Sequence, residues 1–264
     1  MRTRTLGPLE VTVVGLGTNN FGGRLDEAAT RTVVDAALDA GVTFFDTADI
    51  YGNKGGSEEL LGRVLEGRRD RVVLATKFGK PMGDGVERRG TRAYIRGALE
   101  ELVREGKIRA YGTSNYRPET LGRAKALASA AYVSEQSEYS WLRRDAEAEL
   151  LPTCRRLGLG FVPFFPLASG LLTGKVSRDN PPQPGTRLHG RDIAGADLER
   201  VERLQAWAGG HGVSLLDVAI GGLLAVKPVV SVIAGATKPE QVRANAAAGA
   251  WEPSAAELAE LEAA

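Results

Sequence analysis

At 264 residues, with 43% hydrophobic and 25% charged residues, the chain carries enough apolar mass for one α/β core and reads as a single domain over residues 1–264. Thirty-four lysines and arginines against 33 aspartates and glutamates leave a net charge of +1, with no basic stripe interleaved with aromatics, which argues against a nucleic-acid or membrane partner. Cys154 stands alone, which excludes an internal disulfide and a cysteine zinc cluster, and no apolar leader or spanning stretch follows Met1, so the expected location is cytoplasmic.

In chain order, short β-rich runs alternate with longer amphipathic ones. A strand over Val11–Leu16 leads to Gly17-Thr18-Asn19-Asn20, and a helix over Asp26–Ala40 follows, capped by Asp26 and stopped by Gly41. Val42–Phe45 is an apolar strand that ends in Asp46, and Ser57 is the expected cap of a helix over Ser57–Glu66. The next strand, Val72–Lys77, precedes a helical pattern over Thr91–Glu105. Ile108–Gly112 then runs into Thr113-Ser114-Asn115, and Pro118 opens a helix to Ala128. The strands Tyr132–Gln136 and Gly160–Phe165 flank a helix over Arg144–Leu157. Ala168–Asp192, with Pro181, Pro182 and Pro184, is the one long irregular segment and has the length of a functional loop. A helix over Ser214–Val226 and a strand over Val229–Ala234 lead into Gly235-Ala236-Thr237.

This alternation predicts βαβ units around a parallel sheet whose strands are covered on both faces. Polar groups gather at the C-terminal strand ends, where a (βα)8 barrel carries its chemistry. A doubly wound sheet is the competing arrangement, but Gly15-Leu16-Gly17-Thr18 lacks the third glycine of a dinucleotide fingerprint. The expected fold is therefore a TIM-type (βα)8-like barrel with an N-terminal β-hairpin. Only seven parallel strands can be counted where a barrel needs eight, and Thr91–Glu105 is too charged and too helical in pattern to hide the eighth.

Asp46, Tyr51 and Lys77 form a candidate proton-donating set. A tyrosine at its ordinary pKa of about 10 is a poor acid at neutral pH. An adjacent ammonium favours the phenolate and lowers that pKa, and a carboxylate can hold the ammonium in place.

Several motifs then resemble the aldo-keto reductases, particularly bacterial members related to potassium-channel β-subunits. The resemblance covers nearly the whole chain. It rests on Gly15-Leu16-Gly17-Thr18, Phe45 through Gly52, Thr76-Lys77-Phe78-Gly79, Gly112-Thr113-Ser114-Asn115, Gln136 through Ser140, Phe165 through Lys175, and Ala234-Gly235-Ala236-Thr237 with Gln241 and Asn245, all in family order. It implies a barrel that binds NADPH (or NADP) across its C-terminal rim and reduces a small carbonyl substrate to an alcohol.

By the same resemblance, Tyr51 is the general acid, Lys77 lowers its pKa and Asp46 pairs with Lys77. Gly17 and Thr18 line the cofactor groove, and Ser114, Asn115 and Gln136 hold the nicotinamide carboxamide. Phe164 takes the place of an aromatic that stacks on the nicotinamide ring. Backbone at Leu167, Ser169 and Leu171 covers the pyrophosphate. Gly235, Thr237, Lys238, Gln241 and Asn245 take the adenosine end, with Lys238 facing a 2′-phosphate. Thr237 is alternatively only the cap of its helix.

The sequence departs from the family at one place. The family's catalytic histidine lies at the end of a fourth barrel strand, and that strand is missing. Arg92–Glu100 reads as the start of the third barrel helix and Ala98–Lys107 as the end of the fourth, so one βα unit has been cut out and the ends fused. His189, in the Pro-rich loop, and His211, at a helix boundary, are not natural substitutes. A missing strand leaves bare parallel edges, so the gap is expected to be closed or covered by a second copy of the chain. The leading expectation is a weakened reductase. The alternatives are a non-catalytic nicotinamide-binding sensor or partner subunit, and an inactive truncated reductase.

Overall fold

In a computed structural model, residues 1–80 and 99–263 are described. The N-terminal residues form a hairpin, β1 (Thr3–Leu6) against β2 (Leu9–Thr12), antiparallel around Gly7-Pro8. Gly7 has φ +59°, and a Cβ there would meet the Val133 side chain at 2.2 Å, so the turn can pack this tightly only with glycine.

Among the described residues seven strands follow: β3 (Val14–Gly17), β4 (Phe44–Asp46), β5 (Val73–Ala75), β6 (Tyr111–Ser114), β7 (Tyr132–Glu138), β8 (Gly160–Phe164) and β9 (Val232–Gly235). All their pairings are parallel, in the orders β5-β4-β3-β9 and β6-β7-β8. The two sheets meet where Phe161 bridges to Val229: the Phe161 amide donates to Pro228 O at 3.0 Å and Val230 donates to Phe161 O at 2.9 Å. The seven runs read from the sequence are thus strands, shifted by one to three residues at their ends. Among the described residues, β5 and β6 share no ladder. The stretch in which the fused helices were expected to begin falls on 81–98, outside the described residues, while 99–104 is helical.

Leu6, Val11, Phe44, Val133, Val162 and Ile233 pack into one small apolar cluster. Its members come from both sheets and from the hairpin, so the sheets face a shared interior with the hairpin against it. Outside the sheet, α1 (Glu27–Asp39) and α2 (Tyr51–Val64) bury Val33, Val34, Ala37, Leu60, Leu61 and Val64 against Leu16 and Phe45. Full burial of a side chain such as Phe45 contributes roughly 1.5–3 kcal/mol. A larger cluster around Tyr132, Tyr139, Trp141 and Phe161 carries the second half of the chain.

Asp26 caps α1 as expected, accepting from the Ala29 amide at 2.9 Å, and Gly41 takes φ +74° just past the helix end. Ser57 is not a cap. It is fully buried with its hydroxyl bonded to Thr18 and Thr47, and a left-handed stretch over Gly52, Asn53, Lys54 and Gly55 separates Tyr51 from the right-handed part of α2 in which Ser57 sits. The expected helix over Arg144–Leu157 divides into a 3-10 turn, Asp145–Glu147, and a helix, Leu150–Arg156. The helix expected from Pro118 runs over Pro118–Leu127, and the one expected over Ser214–Val226 runs over Leu215–Asp217, a π-helical turn Val218–Gly222 and Leu223–Ala225. Helices also span Gly195–Gly210, Pro239–Ala248 and Ala255–Ala263. Among the described residues, no single helix is long and apolar enough to cross a membrane, and no group of His, Cys, Asp and Glu is arranged to hold a metal ion.

Candidate active site

The C-terminal ends of the parallel strands open into one continuous cleft. Every residue assigned a catalytic or cofactor role from the sequence lines it except Leu171, whose side chain is buried in the larger core cluster. At its centre Asp46, the last residue of β4, is 3% exposed. Lys77 Nζ donates to both its carboxylate oxygens, at 2.8 and 2.7 Å, and to the Thr47 carbonyl at 2.7 Å. Gln136 Nε2, from the middle of β7, donates to Asp46 Oδ1 at 2.9 Å. The β alternation that turns Gln136 toward Asp46 turns its neighbours Glu135 and Ser137 the other way.

Tyr51 begins α2 immediately beside this pair, with Lys77 Nζ 5.2 Å from its ring centroid. Its placement depends on glycine. Gly52 has φ +65°, and a Cβ there would lie 2.5 Å from both Phe21 O and Ser57 N. At Gly22, with φ +73°, a Cβ would lie 2.8 Å from the Gly56 carbonyl carbon. Beneath the turn is a knot of buried hydroxyls. Thr18 Oγ1 donates to Asp46 O at 3.0 Å, Ser57 Oγ donates to Thr18 O at 3.1 Å, and Ser57 Oγ lies 2.9 and 3.0 Å from the Thr18 and Thr47 hydroxyls. These bonds tie the ends of β3 and β4 to α2.

The electrostatics differ from the sequence expectation. The Tyr51 phenol is pushed up to about 12, by burial first and by the Asp46 carboxylate second, with Arg187 acting in the opposite direction. Both oxygens of Asp46 are engaged with Lys77, so the ammonium's influence on Tyr51 is offset by its own counter-ion.

Elsewhere the cleft is built from loop backbone and strand ends. Asn115 has φ +62°; its amide donates to Gln136 O at 2.9 Å and its Nδ2 to Ser114 Oγ at 3.0 Å. Phe164 and Phe165 meet edge to face, 5.2 Å apart and at 84°, and Phe165 is 40% exposed. Leu167 leads into three left-handed residues, Ala168, Ser169 and Gly170. Gly17 and Gly235 sit side by side in register at the ends of β3 and β9. Lys238, not Thr237, occupies the cap position of the helix Pro239–Ala248, because Gln241 Oε1 already accepts from both the Thr237 amide (2.7 Å) and its hydroxyl (3.2 Å). Asn245 is 5% exposed, against the wall of the cleft rather than in solvent.

Arg187 belongs to the site and was not singled out from the sequence. It is half-buried, lies 5.8 Å from the Phe165 ring, and donates through Nη2 to Asn20 Oδ1 at 3.2 Å and Asn19 Oδ1 at 3.4 Å. Burial and the neighbouring Arg24 and Arg191 lower its pKa, while Tyr51 opposes that shift. The only hint in the sequence was its position within the long irregular segment. His189, bonded to Pro182 O, and His211, stacked on Trp207, do not line the cleft.

Comparisons with known proteins agree with this geometry. A model of the aldo/keto reductase family matches the chain in two stretches, residues 13–97 and 93–264. The chain is similar to the uncharacterized oxidoreductase YrpG of Bacillus subtilis (strain 168), at 34% identity over 89% of this chain and 86% of the relative. It is also similar to a probable aldo-keto reductase 1 of Glycine max, at 30% identity over 96% of this chain and 85% of that protein. A probable voltage-gated potassium channel subunit beta of Oryza sativa subsp. japonica is 32% identical, over 85% of this chain and 83% of that protein.

Proposed function

Because this chain belongs to the aldo/keto reductase family of oxidoreductases, we propose that it reduces a small aldehyde or ketone to the alcohol with NADPH, using Tyr51 as the proton donor. The observation that carries the reading is the buried ion pair of Lys77 with both oxygens of Asp46, set beside the Tyr51 ring at the end of a continuous cleft.

The residues present fit a nicotinamide dinucleotide. Ser114, Asn115 and Gln136 offer amide and hydroxyl groups beside Asp46, and Phe164 offers an aromatic face. Leu167, Ser169 and Gly170 line the same cleft where a pyrophosphate would pass. At the far end, Lys238 and the N-terminus of a ten-residue helix suit a phosphate. When bound, the cofactor supplies a hydride to the carbonyl carbon. The chain's own part is the proton: the Tyr51 hydroxyl donates it to the carbonyl oxygen, Arg187 stabilises the phenolate left behind, and Asp46 fixes Lys77 beside the Tyr51 ring.

The loss of a βα unit with the family histidine has its own support. The alignment to the Bacillus relative spans 284 positions yet covers 89% of a 264-residue chain, about 235 residues, so about 50 positions of the relative face gaps. The family model divides near residues 93–97, and β5 and β6 share no ladder with each other among the described residues. A missing fourth strand would put both edges at that point, closed by tightening of the barrel or by a second copy of the chain, which sedimentation velocity distinguishes. Without the histidine that orients the carbonyl, turnover is expected to be slow, since misplacement of a reacting group by ~1 Å can cost on the order of a hundredfold.

The rival reading, a nicotinamide-binding protein without turnover, draws on the Tyr51 phenol being pushed up to about 12 rather than down. Fluorescence of Trp141, Trp207 and Trp251 reports NADPH binding, and NADPH oxidation with 4-nitrobenzaldehyde reports turnover. The reductase reading expects both, with Tyr51→Phe removing turnover and leaving binding. Binding without turnover selects the rival, and a fully active Tyr51→Phe variant overturns the mechanism.

A further inference from the structure

Glu135 is fully buried on β7, on the side opposite Gln136, and the chemistry described so far makes no use of it. Its carboxylate is nonetheless densely bonded. Oε1 accepts from the Tyr116 amide at 3.0 Å and from Ser137 Oγ at 2.7 Å, and Oε2 accepts from Thr113 Oγ1, which also lies 2.6 Å from the Tyr132 hydroxyl. Thr113 and Tyr116 bracket Ser114-Asn115, and the Asn115 amide is held by the Gln136 carbonyl next door.

Asn115 is in the left-handed region at φ +62°. A non-glycine residue stays there only when its surroundings over-determine it. Among the described residues the groups facing Glu135 are Thr113 and the backbone of Asn115 and Tyr116 from the end of β6 and its loop, Tyr132 and Ser137 from β7, and Cys154 from the helix Leu150–Arg156; none of these is a cation. A buried carboxylate without a cation is costly unless its lone pairs are filled, and here hydroxyls and a backbone amide fill them. Burial raises its pKa, while those hydrogen bonds hold the charged form.

We propose that Glu135 is a positioning residue for cofactor binding: its carboxylate clamps both sides of the Ser114-Asn115 turn and so fixes the amide and hydroxyl that meet the nicotinamide end. The inference rests on the reading of the cleft as a nicotinamide-cofactor site. It predicts a split between the two ends of the cofactor, since Glu135 acts at the Asn115 end and not at Lys238.

The experiment measures dissociation constants for NADPH and for 2′,5′-ADP, which lacks the nicotinamide end, by intrinsic tryptophan fluorescence. Glu135→Ala is expected to weaken NADPH binding by roughly tenfold or more and to leave 2′,5′-ADP within twofold. Glu135→Gln, whose amide oxygen can still accept from Tyr116 and Ser137, is expected to restore NADPH binding to within about threefold of the parent. Equal affinity of Glu135→Ala and the parent for NADPH overturns the proposal, as does equal weakening of both ligands. If Glu135→Ala does not fold by circular dichroism, Glu135→Asp decides the matter: its carboxylate is withdrawn by one methylene and must show the same split at threefold or more. A parent chain that binds neither ligand removes the cofactor reading itself, a result separate from any difference between variants.

Discussion

The side-chain amide of Gln136 donates to Asp46 Oδ1 at 2.9 Å, joining β7 to β4, two strands that are not neighbours in either sheet. With Lys77 on the same carboxylate, Asp46 is held from two directions and both sheets contribute to one charge. A hydrogen bond to an ionised group contributes about 1.5–3 kcal/mol. Gln136→Leu is expected to lower stability by an amount in that range, read as a shifted urea midpoint at unchanged slope. It should also reduce carbonyl turnover by about tenfold, because Lys77 follows Asp46.

Gly52 sets the direction of Tyr51. Its left-handed backbone costs a residue with a side chain about 1–2 kcal/mol, before the collision of a Cβ with Phe21 O and Ser57 N at 2.5 Å. Gly52→Ala should lower the melting temperature by roughly 5 °C or more and remove turnover, even where the melted fraction at assay temperature is negligible. A variant that melts with the parent would mean that the turn relaxes freely.

Alkaline stability follows from the tyrosines and the cysteine. Tyr51 is raised to about 12 in the fold, against about 10 in an unfolded chain, so its neutral form is favoured by folding. That contribution is whole below pH 10 and is lost as pH rises through 12. Burial raises Tyr132, Tyr139 and Cys154 in the same direction. Urea midpoints should therefore be flat from pH 7 to about 9 and fall steeply above 10, and Tyr51→Phe should make that fall shallower.

Arg187 is the cation that draws the Tyr51 phenol downward. Arg187→Met is expected to slow single-turnover reduction by about tenfold and to move the alkaline limb of the rate profile to higher pH, because the phenolate loses a partner. An unchanged profile would show that its charge does not reach the phenol.

The strands, and the convergence of Asp46, Tyr51 and Lys77, were legible because apolar runs ending in a polar residue carry a periodic signal. The hydroxyl knot was not. Ser57 has the residue type and spacing of a helix cap and lies just past the left-handed stretch over Gly52–Gly55, but its hydroxyl is spent on Thr18 and Thr47. Arg187 was hidden for a different reason: it reaches the cleft on an irregular segment whose path is set by tertiary contacts with Asn19 and Asn20. Gln241 looked like a ligand-facing side chain, and its bonds to Thr237 show it bracing the loop it was expected to serve. The pKa of Tyr51 was read from its neighbours' charges alone, and burial outweighs them.

The pairing of β3 with β9, Val14 beside Val232, has a consequence for synthesis. During translation β3 waits with one side unsatisfied until the more than 200 residues that follow it, through Gly235, have left the ribosome, since its second neighbour ends there. The hairpin and α1 can form early, but the sheet can be completed only when Val232–Gly235 has been made. A stalled or C-terminally clipped chain would therefore carry an open parallel edge flanked by Leu16 and Phe45, the kind of surface that chaperones and aggregates both recognise.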